Sequence, residues 1–226
     1  MGFSLAQGDA VSIVYAGLAA PVLARGSVVA VDGDVVCIAV RDAGVVSGRI
    51  PPGVRAIVEV HTPLERPHLI LRVDGWQDGA IVGRTVRWSA PDKRVYPRCF
   101  GAVPTRWTDA VDDVDAWLAG ERSAARTFEP DPFMSFSVVG LAFEDKVIPP
   151  EGIEIFVEFQ VPPDLRPHRA VCRVVRVLPI PLDELDVEQG TTHRVAIAFD
   201  RIDDDAVEAL ARYTIRIQDA FLEGLP

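Results

Sequence analysis

Hydrophobic and polar residues alternate in short runs along most of the chain, and turn residues separate the runs. The clearest case lies in residues 28–40, where two valine-rich runs flank Asp32, Gly33 and Asp34. β-Branched residues favour strands, and Asp-Gly between two such runs is a strong signal for a hairpin. This segment therefore predicts two antiparallel strands joined by a tight turn.

Residues 11–88 contain further short runs of the same kind. Strand candidates lie at residues 54–61, 68–73 and 80–88, and two Asp-Gly pairs between the last two supply turns. Short strands at close spacing are typical of small all-β units. About six strands in this half predict a small antiparallel barrel.

The chain beyond residue 98 repeats the pattern and predicts a second antiparallel barrel. Its strand candidates are residues 99–107, 133–136, 141–143, 153–161, 170–178 and 194–199. The predicted fold class is therefore mainly β, with two small antiparallel β-barrels in tandem. The predicted domains are residues 1–91 and 92–226.

Two segments of the second half have helical rather than strand spacing. Within residues 109–126, Val114, Trp117 and Leu118 follow an acidic start that suits the positive end of a helix. Three aspartates open a second helix over residues 203–222. Its expected apolar stripe consists of Val207, Leu210, Ile217 and Phe221. We therefore predict a short helical insertion, and a C-terminal α-helix that closes the second barrel.

Composition and charge narrow the classes of partner. The chain has 226 residues, of which 49% are hydrophobic, and this is enough for packed cores. Its formal net charge is -10, and residues 131–226 hold nine Lys and Arg against eighteen Asp and Glu. Such a surface argues against binding of a DNA or RNA polymer, because a protein that binds one needs a basic stripe on its surface. Any anionic ligand must be small and bound by local cations.

Cysteine usage and hydropathy indicate the compartment. Cys37, Cys99 and Cys172 are far apart and form no C-x-x-C pair, so neither a disulfide framework nor a zinc site is expected. No apolar run reaches the roughly 18 residues that span a bilayer, and the first residues do not resemble a signal peptide. We expect a cytoplasmic protein without membrane insertion.

No catalytic or metal-binding motif stands out. The chain has no G-x-S-x-G elbow, no phosphate-binding loop and no paired histidines, and His61 and His68 are interpreted as isolated strand-end residues. Asp112, Asp113 and Asp115 lack the spacing of a calcium loop and are interpreted as a solvated helix start. The protein is therefore predicted not to be an enzyme, and to need no metal or cofactor.

One tight group of cations interrupts this acidic chain at residues 92–98, which read D-K-R-V-Y-P-R. The segment lies where one β-rich half ends and the other begins, so it is predicted to act as a hinge and as a ligand clamp. The guanidinium groups of Arg94 and Arg98 are planar forks of donors that fit phosphate oxygens or the O6/N7 edge of guanine. An isolated R-x-x-x-R is more often a pair of solvated charges, so a second motif has to support this interpretation.

That second motif lies at residues 135–140, which read S-F-S-V-V-G between two apolar runs. Together, the two stretches resemble the signature of the PilZ family, R-x-x-x-R followed by [D/N]-x-S-x-x-G. The expected barrel and C-terminal helix of residues 92–226 also resemble that family. The first half is similar, more loosely, to the small barrel that precedes PilZ in two-domain proteins of the flagellar-brake type.

The resemblance implies a receptor for cyclic di-GMP, a bacterial second messenger. It implies that Arg94 and Arg98 grip phosphates and guanine edges, with Lys93 as a helper. Ser137 would hydrogen-bond the ligand, and Gly140 would permit a tight backbone because glycine tolerates positive φ. The resemblance further implies regulation of a protein partner, for instance in motility or surface behaviour, and a homodimer is one possible state.

The chain departs from the family pattern at Ser135, where the family has Asp or Asn. A serine can form a turn but reaches less far than a carboxylate or an amide. Two hypotheses therefore stay open. The protein is either a cyclic di-GMP receptor, or a degenerate PilZ adaptor that binds no nucleotide and acts through its protein surface.

Overall fold

The computed structural model describes residues 4–15, 22–43, 50–62, 67–89, 98–122, 124, 126–181 and 190–222. Its fold is mainly β, which confirms the fold class predicted from the sequence. The chain groups into two compact units. The first comprises Met1–Lys93 with Arg216–Pro226, and the second comprises Arg94–Ile215.

The first unit contains a closed six-stranded antiparallel barrel. Its strands are β1 (Ala10–Tyr15), β2 (Val22–Asp32), β3 (Val35–Ala43), β4 (Arg55–Val60), β5 (His68–Gln77) and β6 (Ala80–Ser89). They pair in the order β1-β2-β3-β6-β5-β4. Asp32 pairs with Val35 across the β2–β3 turn, and Gly33 has a φ of 60° there. The Asp-Gly hairpin predicted from the sequence is thus present.

The second unit contains a curled seven-stranded antiparallel sheet. Its strands are β7 (Cys99–Ala102), β8 (Thr105–Thr108), β9 (Phe133–Ser137), β10 (Gly140–Asp145), β11 (Glu154–Gln160), β12 (Pro167–Pro179) and β13 (His193–Ile202). They pair in the order β7-β9-β10-β13-β12-β11-β8. Consecutive strands β9 and β10 form a hairpin, whereas β10 pairs next with the distant strand β13.

The prediction of a single strand over residues 99–107 is wrong, because this segment forms two strands. The segment divides at Val103 and Pro104, where proline offers no backbone N–H to a ladder and the Thr105 hydroxyl donates to the carbonyl of Val103 at 2.8 Å. Its two parts, β7 and β8, stand at opposite ends of the strand order. One short segment therefore supplies both edges of the sheet.

Two helices accompany this sheet. Helix α1 (Val114–Leu118) occupies only five residues of the predicted insertion, and the Asp113 side chain caps it by accepting from the backbone N–H groups of Asp115 and Ala116. Helix α2 (Asp204–Leu222) begins beside Asp203, whose carboxylate accepts from the N–H of Ala206 at 2.6 Å. Both caps fit the acidic starts read from the sequence.

The buried stripe of α2 differs from the predicted one. Its buried apolar residues are Ala206, Leu210, Tyr213 and Ile217. Val207 is only half-buried, and the Phe221 side chain lies outside the described residues. The Tyr213 ring stacks on Phe136 of β9, with centroids 5.1 Å apart and planes within 5°. An aromatic pair therefore fixes which face of α2 packs on the core of the second unit.

None of the helices in the described part of the chain is long and apolar enough to cross a membrane.

His168 of β12 is held in the second unit with little access to water. Its residue is 7% exposed, and its ring lies 5.7 Å from the ring of Phe159. Burial lowers the pKa of the His168 imidazole below the ordinary 6.5, and the carboxylate of Asp203, 4.0 Å from Nδ1, offsets part of this effect.

This environment predicts a loss of stability on acidification. Below about pH 6.5 the unfolded chain takes up a proton on His168 that the folded chain does not, so the free energy of unfolding falls as the pH drops toward the lowered pKa. We expect His168→Phe, which keeps an aromatic ring beside Phe159, to reduce the decrease in the free energy of unfolding between about pH 7.5 and about pH 5.5. Urea unfolding at the two pH values measures it, and an equal decrease in both proteins would contradict it.

Candidate functional site

The S-F-S-V-V-G stretch forms the hairpin between β9 and β10. Ser137 pairs with Gly140 and Ser135 pairs with Ala142 across this hairpin. The Ser137 hydroxyl donates to the carbonyl of Gly140 at 3.5 Å and accepts from the N–H of Val139 at 3.4 Å. These are long contacts, so a better partner could replace them at little cost.

Gly140 is required for a steric reason that the sequence did not reveal. A Cβ atom at this position would collide with the carbonyl oxygen of Ile197 and lie 3.2 Å from the Cα of Ala198, both on β13. The φ of Gly140 does not lie in the left-handed region. The expectation that glycine serves here through positive φ is therefore wrong, and close approach of β10 to β13 is the cause.

The strand register aligns the residues of this motif with residues of β13 and β12, in two rows that run across the sheet. In the first row, Ser137 pairs with Gly140, Gly140 with Ala198, and Ala198 with Arg173. In the second row, the paired residues are Ser135, Ala142, Ala196 and Arg176. Because paired residues point to the same side of a sheet, each row presents its side chains on one face.

This face is the outer face of the sheet, opposite the core. The row between the two contains Phe136, Leu141, Ile197 and Val174, all at most 4% exposed. Successive side chains alternate between faces. The outer face over β9, β10 and β13 therefore contains a group of six small residues, here called the floor: Ser135, Ser137, Gly140, Ala142, Ala196 and Ala198.

Strand β7 brings Arg98 to one edge of the floor. Cys99 pairs with Phe136 and Phe100 pairs with Ser135, so Arg98, which directly precedes β7, lies at the end of the strand that adjoins the Ser137 end of β9. Arg98 is exposed and Phe100 is half-buried. A cation and an aromatic ring therefore border the floor on the β7 side.

The serines of the floor are themselves well covered. Ser135 is 7% exposed and Ser137 is 2% exposed. No hydrogen bond joins the Ser135 hydroxyl to another residue within the described ranges. The Ser135 oxygen is not among the buried polar atoms without a partner, so it keeps contact with water and can bond to an incoming acceptor or donor.

Helix α1 occupies the neighbouring part of the outer face. Trp117 packs with Phe156 and Val171, and the Trp117 and Phe156 rings meet edge to face at 5.6 Å. The guanidinium of Arg169 donates to the carbonyl of Trp117 and pairs with Glu158 at 2.8 Å. The insertion is thus fixed at Val171, two residues along β12 from Arg173.

The other sequence-predicted site residues, Lys93 and Arg94, lie outside the described residues. In the first unit, His61 directly follows β4 and His68 begins β5, which agrees with their interpretation as strand-end residues, but the two histidines share an acidic neighbour and are not isolated from each other. Their Nε2 atoms lie 3.7 Å and 3.2 Å from the Glu59 carboxylate. The pairing of Glu59 with His68 across the β4–β5 hairpin, and the spacing of two between Glu59 and His61, explain the convergence. Within the described ranges, no group of three or more His, Cys, Asp or Glu residues could hold a metal ion.

No protein-family model matches the chain, and no curated protein matches it. Three solved structures are similar to it over most of its length. The inhibitor of motility MotI/DgrA from Bacillus subtilis is 18% identical, with 96% of this chain and 98% of that chain covered and a TM-score of 0.42. YcgR from Escherichia coli in complex with c-di-GMP is 11% identical, with 96% and 87% covered and a TM-score of 0.40. MrkH from K. pneumonia in complex with c-di-GMP is 12% identical, with 96% and 88% covered and a TM-score of 0.35. Likeness at this level carries no argument about function, which has to come from the residues of this chain.

The close contact at Gly140 predicts a sharp contrast between two glycines. Gly140→Ala should lower the free energy of unfolding by about 1–3 kcal/mol, because a methyl group would push β10 away from β13. Gly75→Ala in β5 is the matched control, since no atom lies within 4 Å of an added Cβ there. Chemical unfolding of the two variants measures the contrast, and equal stabilities would contradict the steric requirement.

Proposed function

We propose that the protein is a receptor for cyclic di-GMP and that the nucleotide binds on the floor. The observation that supports the proposal is the pairing of Cys99 with Phe136 and of Phe100 with Ser135. Cys99 directly follows Arg98 of R-x-x-x-R, and Phe136 directly precedes Ser137 of S-x-x-G. Arg98 and Ser137 are 39 positions apart in sequence, and the strands that adjoin them, β7 and β9, are paired.

The chemistry of the floor suits a flat ligand. Gly140 and the three alanines carry no side-chain atoms beyond Cβ, so a purine ring can approach the backbone of the sheet. Phe100, at the β7 edge, offers an aromatic surface for stacking. Arg98 can stack on a base, bind a phosphate through two donors, or bind the O6/N7 edge of guanine.

The charge of the protein supports a locally bound anion. The chain has a net charge of -10, so its long-range field disfavours a doubly charged nucleotide. Specific binding therefore has to come from short-range contacts to cations that are concentrated at one place. Arg94 and Lys93, carried by the segment before β7, are proposed to complete this set with Arg98.

Calorimetric titration of the pure protein with cyclic di-GMP tests the proposal. We expect saturable heat for the unaltered protein and at least about tenfold weaker binding for Arg98→Ala, because a charge-assisted contact contributes about 1.5–3 kcal/mol. Arg212→Ala is the matched control, since this exposed arginine of α2 pairs only with Glu208 among the ion pairs of the described residues. Equal affinity of Arg98→Ala and Arg212→Ala would contradict the assigned site.

A second candidate function is that of an adaptor that binds no nucleotide. The burial of Ser137 favours it, because this residue is 2% exposed and its hydroxyl is already bonded within the hairpin, so it gives little access to a ligand. The same titration separates the two functions. Absence of heat with the unaltered protein, together with binding by Ser135→Asn, would indicate a degenerate PilZ site and favour the adaptor, which would then act through its acidic surface on a basic protein partner.

We further propose that the nucleotide acts on the joint between the two units. Their boundary falls between Lys93 and Arg94, within the proposed clamp at residues 92–98. A ligand held by Arg94 and by the floor would restrict this joint and shift the population of conformers toward one that binds a protein partner.

Small-angle X-ray scattering measures this coupling directly. We expect saturating cyclic di-GMP to change the radius of gyration of the unaltered protein, because restriction of the joint narrows its range of conformers. The Arg98→Ala variant at the same ligand concentration is the control and should keep the curve of the free protein. An unchanged curve for a protein that calorimetry shows to be saturated would contradict the coupling while leaving the receptor function intact.

A further inference from the structure

Each row of the floor ends at an arginine of β12, on the side opposite Arg98. Ala198 pairs with Arg173 and Ala196 pairs with Arg176. Both arginines are exposed, Arg173 with 56% of its side chain accessible. We infer that Arg176, with Arg173 beside it, forms a second anion-binding edge that contacts the nucleotide from the side opposite Arg98. The inference rests on the proposed function and extends it to residues outside both sequence motifs.

The geometry of β12 supports this assignment. The register between β12 and β13 shifts between Val174 and Arg176, which marks Val175 as the extra residue of a bulge. Bulges redirect side chains relative to a regular strand. Arg173 pairs with Ala198. Because Val175 is the extra residue, it is Arg176 that pairs with Ala196, two positions earlier on β13. Two arginines only three positions apart thereby end neighbouring rows on the same face.

The width of the floor suits a ligand with two anionic groups. Adjacent strands lie about 4.8 Å apart, so the four steps from β7 to β12 separate the two cationic edges by roughly 19 Å along the curved sheet. Long arginine side chains reach inward from both edges. A cyclic dinucleotide carries its two phosphates on opposite sides of one ring. A single edge of cations cannot serve both phosphates equally well, whereas two facing edges can.

The two β12 arginines are not equivalent. Arg173 donates to Asp200 at 2.8 Å, and this ion pair orients its guanidinium but also neutralises part of its charge. No hydrogen bond or ion pair joins Arg176 to another residue in the described ranges. Because no described residue engages its guanidinium, Arg176 is assigned the larger contribution.

The row that ends at Arg176 also carries a hydroxyl that a ligand could use. Ser135 lies in this row, and its hydroxyl has no hydrogen-bond partner within the described ranges. By alternation its side chain lies on the outer face. Its oxygen is not among the buried polar atoms that lack a partner, so it can exchange water for a group of a ligand on the floor.

Calorimetric titration with cyclic di-GMP tests the inference on the full chain. We expect Arg176→Ala to weaken binding roughly ten- to a hundredfold, and Arg173→Ala to weaken it less. Arg176→Lys keeps the charge without the planar fork, so it should fall between Arg176→Ala and the unaltered protein. Arg212→Ala, an equal change of charge on α2, should bind like the unaltered protein. Thermal unfolding of each variant verifies that these surface substitutions leave the fold intact.

The outcomes separate this inference from the proposed function. If Arg98→Ala weakens binding while Arg173→Ala and Arg176→Ala bind like the Arg212→Ala control, the second edge is overturned and the receptor function stands. If the unaltered protein does not bind cyclic di-GMP, both are overturned. Weakening by Arg176→Ala with the predicted intermediate effect of Arg176→Lys supports the second edge.

Discussion

The register of β9, β10 and β13 is the constraint on which the candidate site depends. At Gly140 the two central strands approach so closely that no Cβ fits against the carbonyl of Ile197. A slip of one residue would turn every side chain of a strand to the opposite face. It would turn Phe136 to the outer face and the serines of the floor toward the core, and the stacking of Phe136 on Tyr213 of α2 opposes that inversion. The packing of the core thus determines which side chains lie on the outer face, although none of the core residues lies on that face.

Helix α1 determines how much of this outer face stays open. Its anchor is a mostly buried ion pair between Arg169 and Glu158, reinforced by a cation–π contact in which the guanidinium lies 5.1 Å from the centroid of Trp117. Removing one partner of such a pair leaves the other charge poorly solvated, so the arrangement is strongly held. Because this anchor is on β11 and β12, the insertion covers the sheet beside the floor and stops short of Arg173.

The elements set by local signals could be predicted from the sequence, whereas those set by distant pairing could not. The hairpin at Gly33 and the acid-capped helices follow from turn chemistry and periodicity within a few residues. The division of residues 99–107 between two edges of one sheet depends on partners far along the chain. For the same reason Arg173 and Arg176 carry no sequence signal, since only the bulged pairing with β13 places them beside the motif residues.

The serine at position 135 changes how a ligand would be held on this face. Its hydroxyl reaches only a group that comes down to the floor, and its neighbours in the row, Ala142 and Ala196, leave space for such an approach. One neutral hydrogen bond contributes about 0.5–1.5 kcal/mol, whereas a charge-assisted bond from an arginine contributes about 1.5–3 kcal/mol. The binding free energy lost with a longer acidic or amide side chain at the turn is therefore smaller than the binding free energy that a single well-placed guanidinium contributes. For the proposed nucleotide, affinity would thus depend on the cationic edges, and the small residues of the floor would determine which shape of ligand can lie between them.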